Sequence, residues 1–261
     1  MIVRVTTRSL PAELETYAEA RERRAHDIEV LRRGDRHQRQ LAEELSRCRK
    51  GHRCQNEGCK ICLALFRRWL VREATPILAS RPHWTSASVV TAGLLALDDE
   101  LDDFDLNKLV KRLRKRLERS SLADRTIVGG VDVSHNVQEN CAVGYQFHLY
   151  LLIEGEDNLS LREAVKAAFP PDDTAAEPYR FKCVNHIPGA VSYSYKSIFV
   201  RRSCFIDGSG IARTKKQPLK GAELRALLTF LARYKVGARL ILQRVRRNGN
   251  YLVRSSGAIR P

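Results

Sequence analysis

Among the chain's 261 residues no apolar run approaches the length of about 18 that a membrane-spanning helix needs. The opening stretch, MIVRVTTRSLPAELE, lacks the apolar core of a secretory signal, so a cytoplasmic location is expected. Seven cysteines are an odd number, and without export a disulfide framework is not expected; thiols or metal ligands are. No segment repeats. Acidic residues are scarce at one end: from Arg213 to Pro261 thirteen bases face Glu223 alone, whereas residues 1–47 hold ten bases and nine acids. The net charge is +16, and 43% of residues are hydrophobic, enough for the core of one large domain or one domain with an appendage. The basic residues near the C-terminus alternate with apolar ones instead of forming a tail, so a nucleic-acid partner is expected; a merely solvated surface is the plainer alternative.

Hydrophobic spacing predicts charged helices over 11–47, begun near Pro11 and broken at Gly34. LALFRRWLVREATPIL reads as a further helix, and HWTSASVVTAG (83–93) as a strand. Leu106, Leu109, Val110, Leu113 and Leu117 form the buried stripe of another helix, with acids before it and bases toward its end, as the helix dipole favours. TIVGGVDVSHN (126–136) and GYQFHLYLLIEG (144–155) read as a strand hairpin with a polar loop. Helices are expected over 159–169, 189–199 and 222–234, a strand over 179–184, and a last strand turning at Asn248-Gly249 into NYLVR. Strands and helices mix without strict alternation, which predicts an α+β fold with a mainly antiparallel central sheet flanked by helices.

Cys48, Cys54, Cys59 and Cys62 crowd into fifteen residues, with His52 in the first loop and Gly51 and Gly58 available for tight turns. Four soft ligands at this spacing predict a structural zinc knuckle, since four thiolates leave no open catalytic position; His52 in place of one thiolate stays open. The other cysteines, Cys141, Cys183 and Cys204, are scattered.

On the strand 144–153, alternation places Gln146, His148 and Tyr150 opposite the core residues Phe147, Leu149 and Leu151. Asp132, between Val131 and Val133, points to the same polar side of the preceding strand. A carboxylate and an imidazole on adjacent strands suit a divalent cation; a solvated sheet face is the alternative. Downstream, Tyr193 and Lys196 fall on one face of the expected helix and Tyr195 on another. A tyrosine near a cation and a lysine can attack a phosphodiester.

In order and spacing these segments resemble the rolling-circle plasmid replication initiators of the HUH endonuclease superfamily, in the class with a cysteine motif before the nuclease. GCKICLALFRRWL resembles the cysteine motif running into an Arg-rich helix. SVVTAG, DLNKLVKRLRKRL and GGVDVSHN resemble the strand, helix and acidic strand that follow. HLYLL resembles the metal-binding "H-x-H-x-L" strand, and SYSYK (192–196) the tyrosine motif. The likeness covers roughly 48–245. With the charged helices over 1–47 and the zinc knuckle and its helix over 48–80 already read from the residues, it implies a nuclease-like domain over 81–261 with a basic C-terminal helix and hairpin. It further implies Tyr193 as nucleophile with Lys196 assisting and Tyr195 as the rival, Asp132 and His148 as ligands of catalytic Mg²⁺ or Mn²⁺, and single-stranded or hairpin DNA and replication machinery as partners. Tyr150 stands where the second histidine belongs, Asp132 is shorter than the usual acid, and Ser192 replaces a lysine. Arg239, Arg244, Arg246 and Arg247 surround the last strand and hairpin and are the expected phosphate contacts. Two alternatives to strand nicking stand beside it: a non-catalytic DNA-binding protein on this fold, and a zinc-stabilised RNA-binding protein indifferent to His148.

Overall fold

Side chains that cap their own backbone set the helix starts. In the computed structural model, which describes residues 14–91, 93–137, 144–171, 175, 177–206 and 212–255, the first helix α1 (Tyr17–Arg32) begins at a reciprocal cap between Thr16 and Glu19. The second, α2 (Arg36–Ser46), begins at the same device between Asp35 and Gln38. Pro11, Cys141 and the 138–143 part of the expected hairpin loop lie outside the described residues. Helix α3 (Lys60–Ala79) starts directly at Cys59, so the cysteine segment is its N-terminal lead-in.

Strands β1 (Trp84–Val89) and β2 (Leu95–Leu97) precede α4 (Leu106–Glu118), which Asp105 caps. All five apolar residues of its predicted stripe are buried, each stabilising by about 1.5–3 kcal/mol on transfer from water. Then come β3 (Ile127–Val137), β4 (Gly144–Glu154), α5 (Leu159–Ala168), β5 (Tyr179–Cys183) and α6 (Ile187–Ser194). The chain continues through β6 (Val200–Ile206), β7 (Ala212–Pro218), α7 (Gly221–Ala232), β8 (Leu240–Gln243), β9 (Val245–Asn248) and β10 (Tyr251–Arg254). The fold is α+β, with a mixed sheet flanked by seven helices among the described residues. No described helix is long and apolar enough to cross a membrane.

Eight strands form the sheet, with the path β5-β1-β4-β3-β6-β7, while β2 also pairs β4 and β8 also pairs β3. Every pair is antiparallel except β3 with β6. One feature of β3 positions everything that follows. Its residues Ile127–Gly130 pair with β8 and Ser134–Val137 pair with β6, so 131–133 meet neither strand at the fork between them.

Both sheet faces are covered. Phe147, Leu149, Leu151 and Ile153 pack against α4, α5 and α7 on one side. On the other, Val128 and Leu152 pack beneath Leu63, Phe66 and Leu70 of α3 and Val191 of α6. The polar side of β4 is therefore not a solvated face: α3 and α6 roof it, and Gln146 and His148 are buried.

Three expectations change. The helix expected over 189–199 ends at Ser194, because Tyr195 leaves helical geometry with ψ 74°. The strands β6 and β7 were not predicted, and the predicted last strand divides at Arg244, whose φ is +55°, into β8 and β9.

Candidate functional site

The cysteine segment folds as a nest of four sulfurs. The Sγ atoms of Cys48, Cys54, Cys59 and Cys62 all lie within 4.8 Å of one another, and no other group of three or more His, Cys, Asp or Glu side chains converges this way among the described residues. The Cys48–Cys62, Cys54–Cys62 and Cys48–Cys59 separations are 3.6, 3.6 and 3.7 Å. A tetrahedron with Zn–S bonds of about 2.3 Å has an edge of about 3.8 Å, so the four sulfurs fit a metal such as zinc. His52 is not part of the group. Gly51, at φ +85°, supplies the left-handed turn; the second left-handed residue is Gln55 at +53° and not Gly58. Hydrogen bonding from Cys59 draws the Cys48 thiol down to about 6, and Cys59 and Cys62 together draw Cys54 further down. Cys48 and Cys54 thus favour thiolate, the form that binds metal, whereas burial and the neighbouring thiols push Cys59 and Cys62 up, so that without a cation the four do not all ionise. It packs among Leu31, Leu45 and Leu228, where α1, α2 and α7 meet.

At the fork in β3, the predicted polar residues meet. Asp132 and His148 are direct cross-strand partners. Lys196 Nζ donates to Asp132 Oδ2 at 2.8 Å and sits 4.0 Å from the centre of the Tyr193 ring. The Tyr193 ring in turn meets Tyr150 edge-on, with centroids 4.7 Å apart. Tyr193 is 47% exposed, which leaves it accessible. Lys196 reaches it from beyond the helix end, not along a shared helical face as the sequence predicts. Gly130 makes this approach possible: a Cβ there would stand 2.5 Å from the Ser194 carbonyl oxygen and 3.2 Å from the Tyr195 ring.

Electrostatics set the charge states. Burial pushes the Asp132 carboxyl up, but the Lys196 ammonium, joined by Arg239, outweighs it and holds the group below the usual carboxylate range. Burial, reinforced by repulsion from Arg202, pushes His148 down to about 3, so its imidazole is neutral. Ser134 Oγ and His148 Nε2 share a hydrogen bond of 2.8 Å. Burial pushes the Tyr150 phenol up, keeping it protonated. Asp132 Oδ1 is buried with no hydrogen-bond partner. In register across the sheet from Tyr150 lie Ser88 and then the exposed Arg180 of β5.

A buried ion pair ties this site to the cysteine loop. Glu57 lies between Cys54 and Cys59, and Arg239 Nε donates to its Oε1 at 2.6 Å with both side chains at 0% exposure. Arg239 also donates to the Val131 carbonyl at 2.8 Å and to the Lys196 carbonyl at 2.9 Å. Tyr195 Oη and the Gly237 N–H each donate to Glu57 at 2.8 Å. The loop itself hydrogen-bonds to the turn ahead of β8, Glu57 N–H to the Tyr234 carbonyl and Val236 N–H to that of Gln55.

These contacts correct two predictions. Tyr195 is no rival nucleophile, because its ring is 0% exposed and its hydroxyl is committed to Glu57. Arg239 is no phosphate contact, because it neutralises Glu57 in the core. Arg244 is half-buried and engaged with Asp124. Arg246 and Arg247 are exposed on the β9–β10 hairpin, and the Arg247 guanidinium stacks 4.7 Å from the Trp69 ring. Ser134, Arg180 and Arg202 were missed; the first stands two residues past Asp132 on the same strand face, a signal that the period-2 pattern contains. Compared with known proteins, the chain matches no family model, no curated protein and no solved structure.

Proposed function

We propose that this chain binds single-stranded or hairpin DNA and nicks and rejoins one strand through Tyr193. The observation that carries the reading is the convergence of an accessible phenol with a lysine that is anchored by a buried carboxylate beside a neutral imidazole. In the reaction the Tyr193 oxygen forms a bond to phosphorus, and the bond to the sugar oxygen breaks. That oxygen leaves with the bonding pair and is protonated, giving a phosphotyrosine ester and a free hydroxyl. Attack by a hydroxyl on the ester reverses the step and rejoins the strand. Lys196, held in place by Asp132, stabilises the phenolate as its proton departs and attracts the phosphate oxygens.

On this reading Mg²⁺ or Mn²⁺ would be a weakly held ion here, displacing part of the contacts that Asp132 makes with Lys196 and His148 Nε2 with Ser134. Asp132 Oδ1 is an unpartnered buried oxygen and His148 is neutral, so these two would hold it, with water and phosphate oxygens supplying the other positions. Tyr150, a protonated phenol, would not replace a second histidine. When bound, the ion would neutralise charge on the reacting phosphate. Zinc at the four cysteines would serve as structure.

Tyr150 also favours a second reading, a catalytically silent member that binds nucleic acid on the same surface. Incubation with labelled hairpin and single-stranded DNA and Mn²⁺, resolved by denaturing electrophoresis, separates the two. A covalent adduct in wild type that is lost in Tyr193→Phe supports nicking. Binding without any adduct supports the silent reading.

A further inference from the structure

Helix α4 carries a second charged feature on the opposite side of the sheet from Tyr193. Its apolar stripe packs against Phe147 and Leu149, whereas Tyr193, His148 and Tyr150 belong to the other face. On the outside of α4, Lys108, Lys111, Arg112, Lys115, Arg116 and Arg119 fall at successive three- and four-residue steps and line a shallow groove of about 430 Å³. Along the axis this stripe runs for roughly 16 Å, at about 1.5 Å per residue. None of the six takes part in an ion pair among the described residues.

Such a face is costly to a helix standing alone. Like charges three or four residues apart oppose helix formation by about 0.2–0.5 kcal/mol per pair, and a solvated helix face ordinarily interleaves both signs. Helix α1 does interleave them, with Glu19, Glu22 and Glu29 among its arginines. Two of the six cations on α4 are moreover braced in place. Arg112 donates to the Gly93 carbonyl at 3.1 Å, and Arg116 reaches Thr91 Oγ1 at 3.5 Å. A row of six cations, two of them braced, lining a groove that Glu118 borders but does not line, is complementary to a row of phosphates.

We infer that the outer face of α4 docks the phosphate backbone of a nucleic-acid duplex, at a surface separate from the Tyr193 site. The choice of duplex over single strand follows from what the face does not carry. Single-strand grooves pair cations with aromatic rings on which bases stack, and the exposed residues of α4 include no aromatic side chain. The contact is therefore to the backbone and independent of base sequence. The inference goes beyond the proposed nicking activity and does not depend on it.

Lys111 and Lys115 are exposed, lie outside the Tyr193 site and can be changed without disturbing the core. Fluorescence anisotropy of the full chain with a blunt, random-sequence 20-base-pair duplex, titrated from low to high salt, tests the inference. The paired substitution Lys111→Gln and Lys115→Gln is expected to lower the slope of log K against log salt by about 1.8, at ~0.9 per lost duplex contact. Tyr193→Phe is expected to leave that slope unchanged, which separates this surface from the nicking site whatever the adduct assay shows. Circular dichroism confirms that the variant is folded. An unaltered slope in the folded double variant would overturn the inference, as would wild-type protein that does not bind the duplex. A loss confined to a poly-dT single strand would overturn it too, since the face would then serve single strands.

Discussion

Replacing Arg239 by methionine removes the charge from the most enclosed ion pair among the described residues while keeping a side chain of similar volume. Glu57 would keep the hydrogen bonds from Tyr195 and Gly237 but lose the guanidinium of Arg239, with both carboxylate and arginine at 0% exposure. The carbonyls of Val131 and Lys196 would lose a donor as well. Breaking one side of a buried pair costs about 3–5 kcal/mol, against a total stability of about 5–15 kcal/mol for a folded protein. At about 2–4 °C per kcal/mol for a chain of this size, the midpoint of thermal unfolding should fall by roughly 6–20 °C. Urea titration and calorimetry of Arg239→Met would measure it, with exposed Arg246→Met as the control expected to change by less than about 0.5 kcal/mol. The double variant Glu57→Leu/Arg239→Met should be less destabilised than the sum of its two single variants, since it leaves no unpaired charge. If Arg239→Met unfolds at the same midpoint as Arg246→Met, the reasoning about this pair is wrong.

Further outcomes follow from the same geometry. Chelator-washed protein should retain one zinc per chain, and Cys59→Ser should lower that stoichiometry and expose residues 48–62 to limited proteolysis; wild type without zinc would refute the cluster's role. Gly130→Ala should cost about 1–3 kcal/mol and reduce the Tyr193 adduct, because its Cβ meets the Ser194 carbonyl at 2.5 Å; an unchanged adduct yield and midpoint would show that α6 sits elsewhere. Neutralising Arg246 and Arg247 together should reduce the salt slope for nucleic acid by about 1.4–1.8, at ~0.7–0.9 per contact, and no change would mean that the β9–β10 hairpin faces something else.

Elements with strong periodicity were legible in the sequence. The α4 stripe, the β3 and β4 alternation and the four-cysteine group all come from local spacing, and the structure keeps them; the hairpin expected at Asn248-Gly249 forms one residue later, with Asn248 closing β9 and Gly249-Asn250 as the loop. Illegible were features whose cause is remote. Strands β6 and β7, VRRSCFI and ARTKKQP, have too many charges to alternate cleanly, and they are extended because they pair with β3 and with each other. Arg239 reads as a surface charge until its partner is found 182 residues away in sequence. Tyr193 and Tyr195, two residues apart, look equivalent; only the early end of α6 and the carboxylate of Glu57 separate an accessible phenol from a buried one.

That 182-residue span also sets a timetable for synthesis. At about 5–20 residues per second, roughly 10–35 s pass between the emergence of Glu57 and that of Arg239. During that interval the cysteine loop has its four thiols but neither Arg239 nor the 234–236 segment that it later hydrogen-bonds, and the 127–130 stretch of β3 lacks β8. A nascent chain can therefore load metal at the cysteines before its central sheet is closed, since all four ligands leave the ribosome within fifteen residues of one another. A chain interrupted before Arg239 would instead hold an unneutralised carboxylate at a site built to be dry and an open strand edge, the kind of fragment that quality control removes or that aggregates.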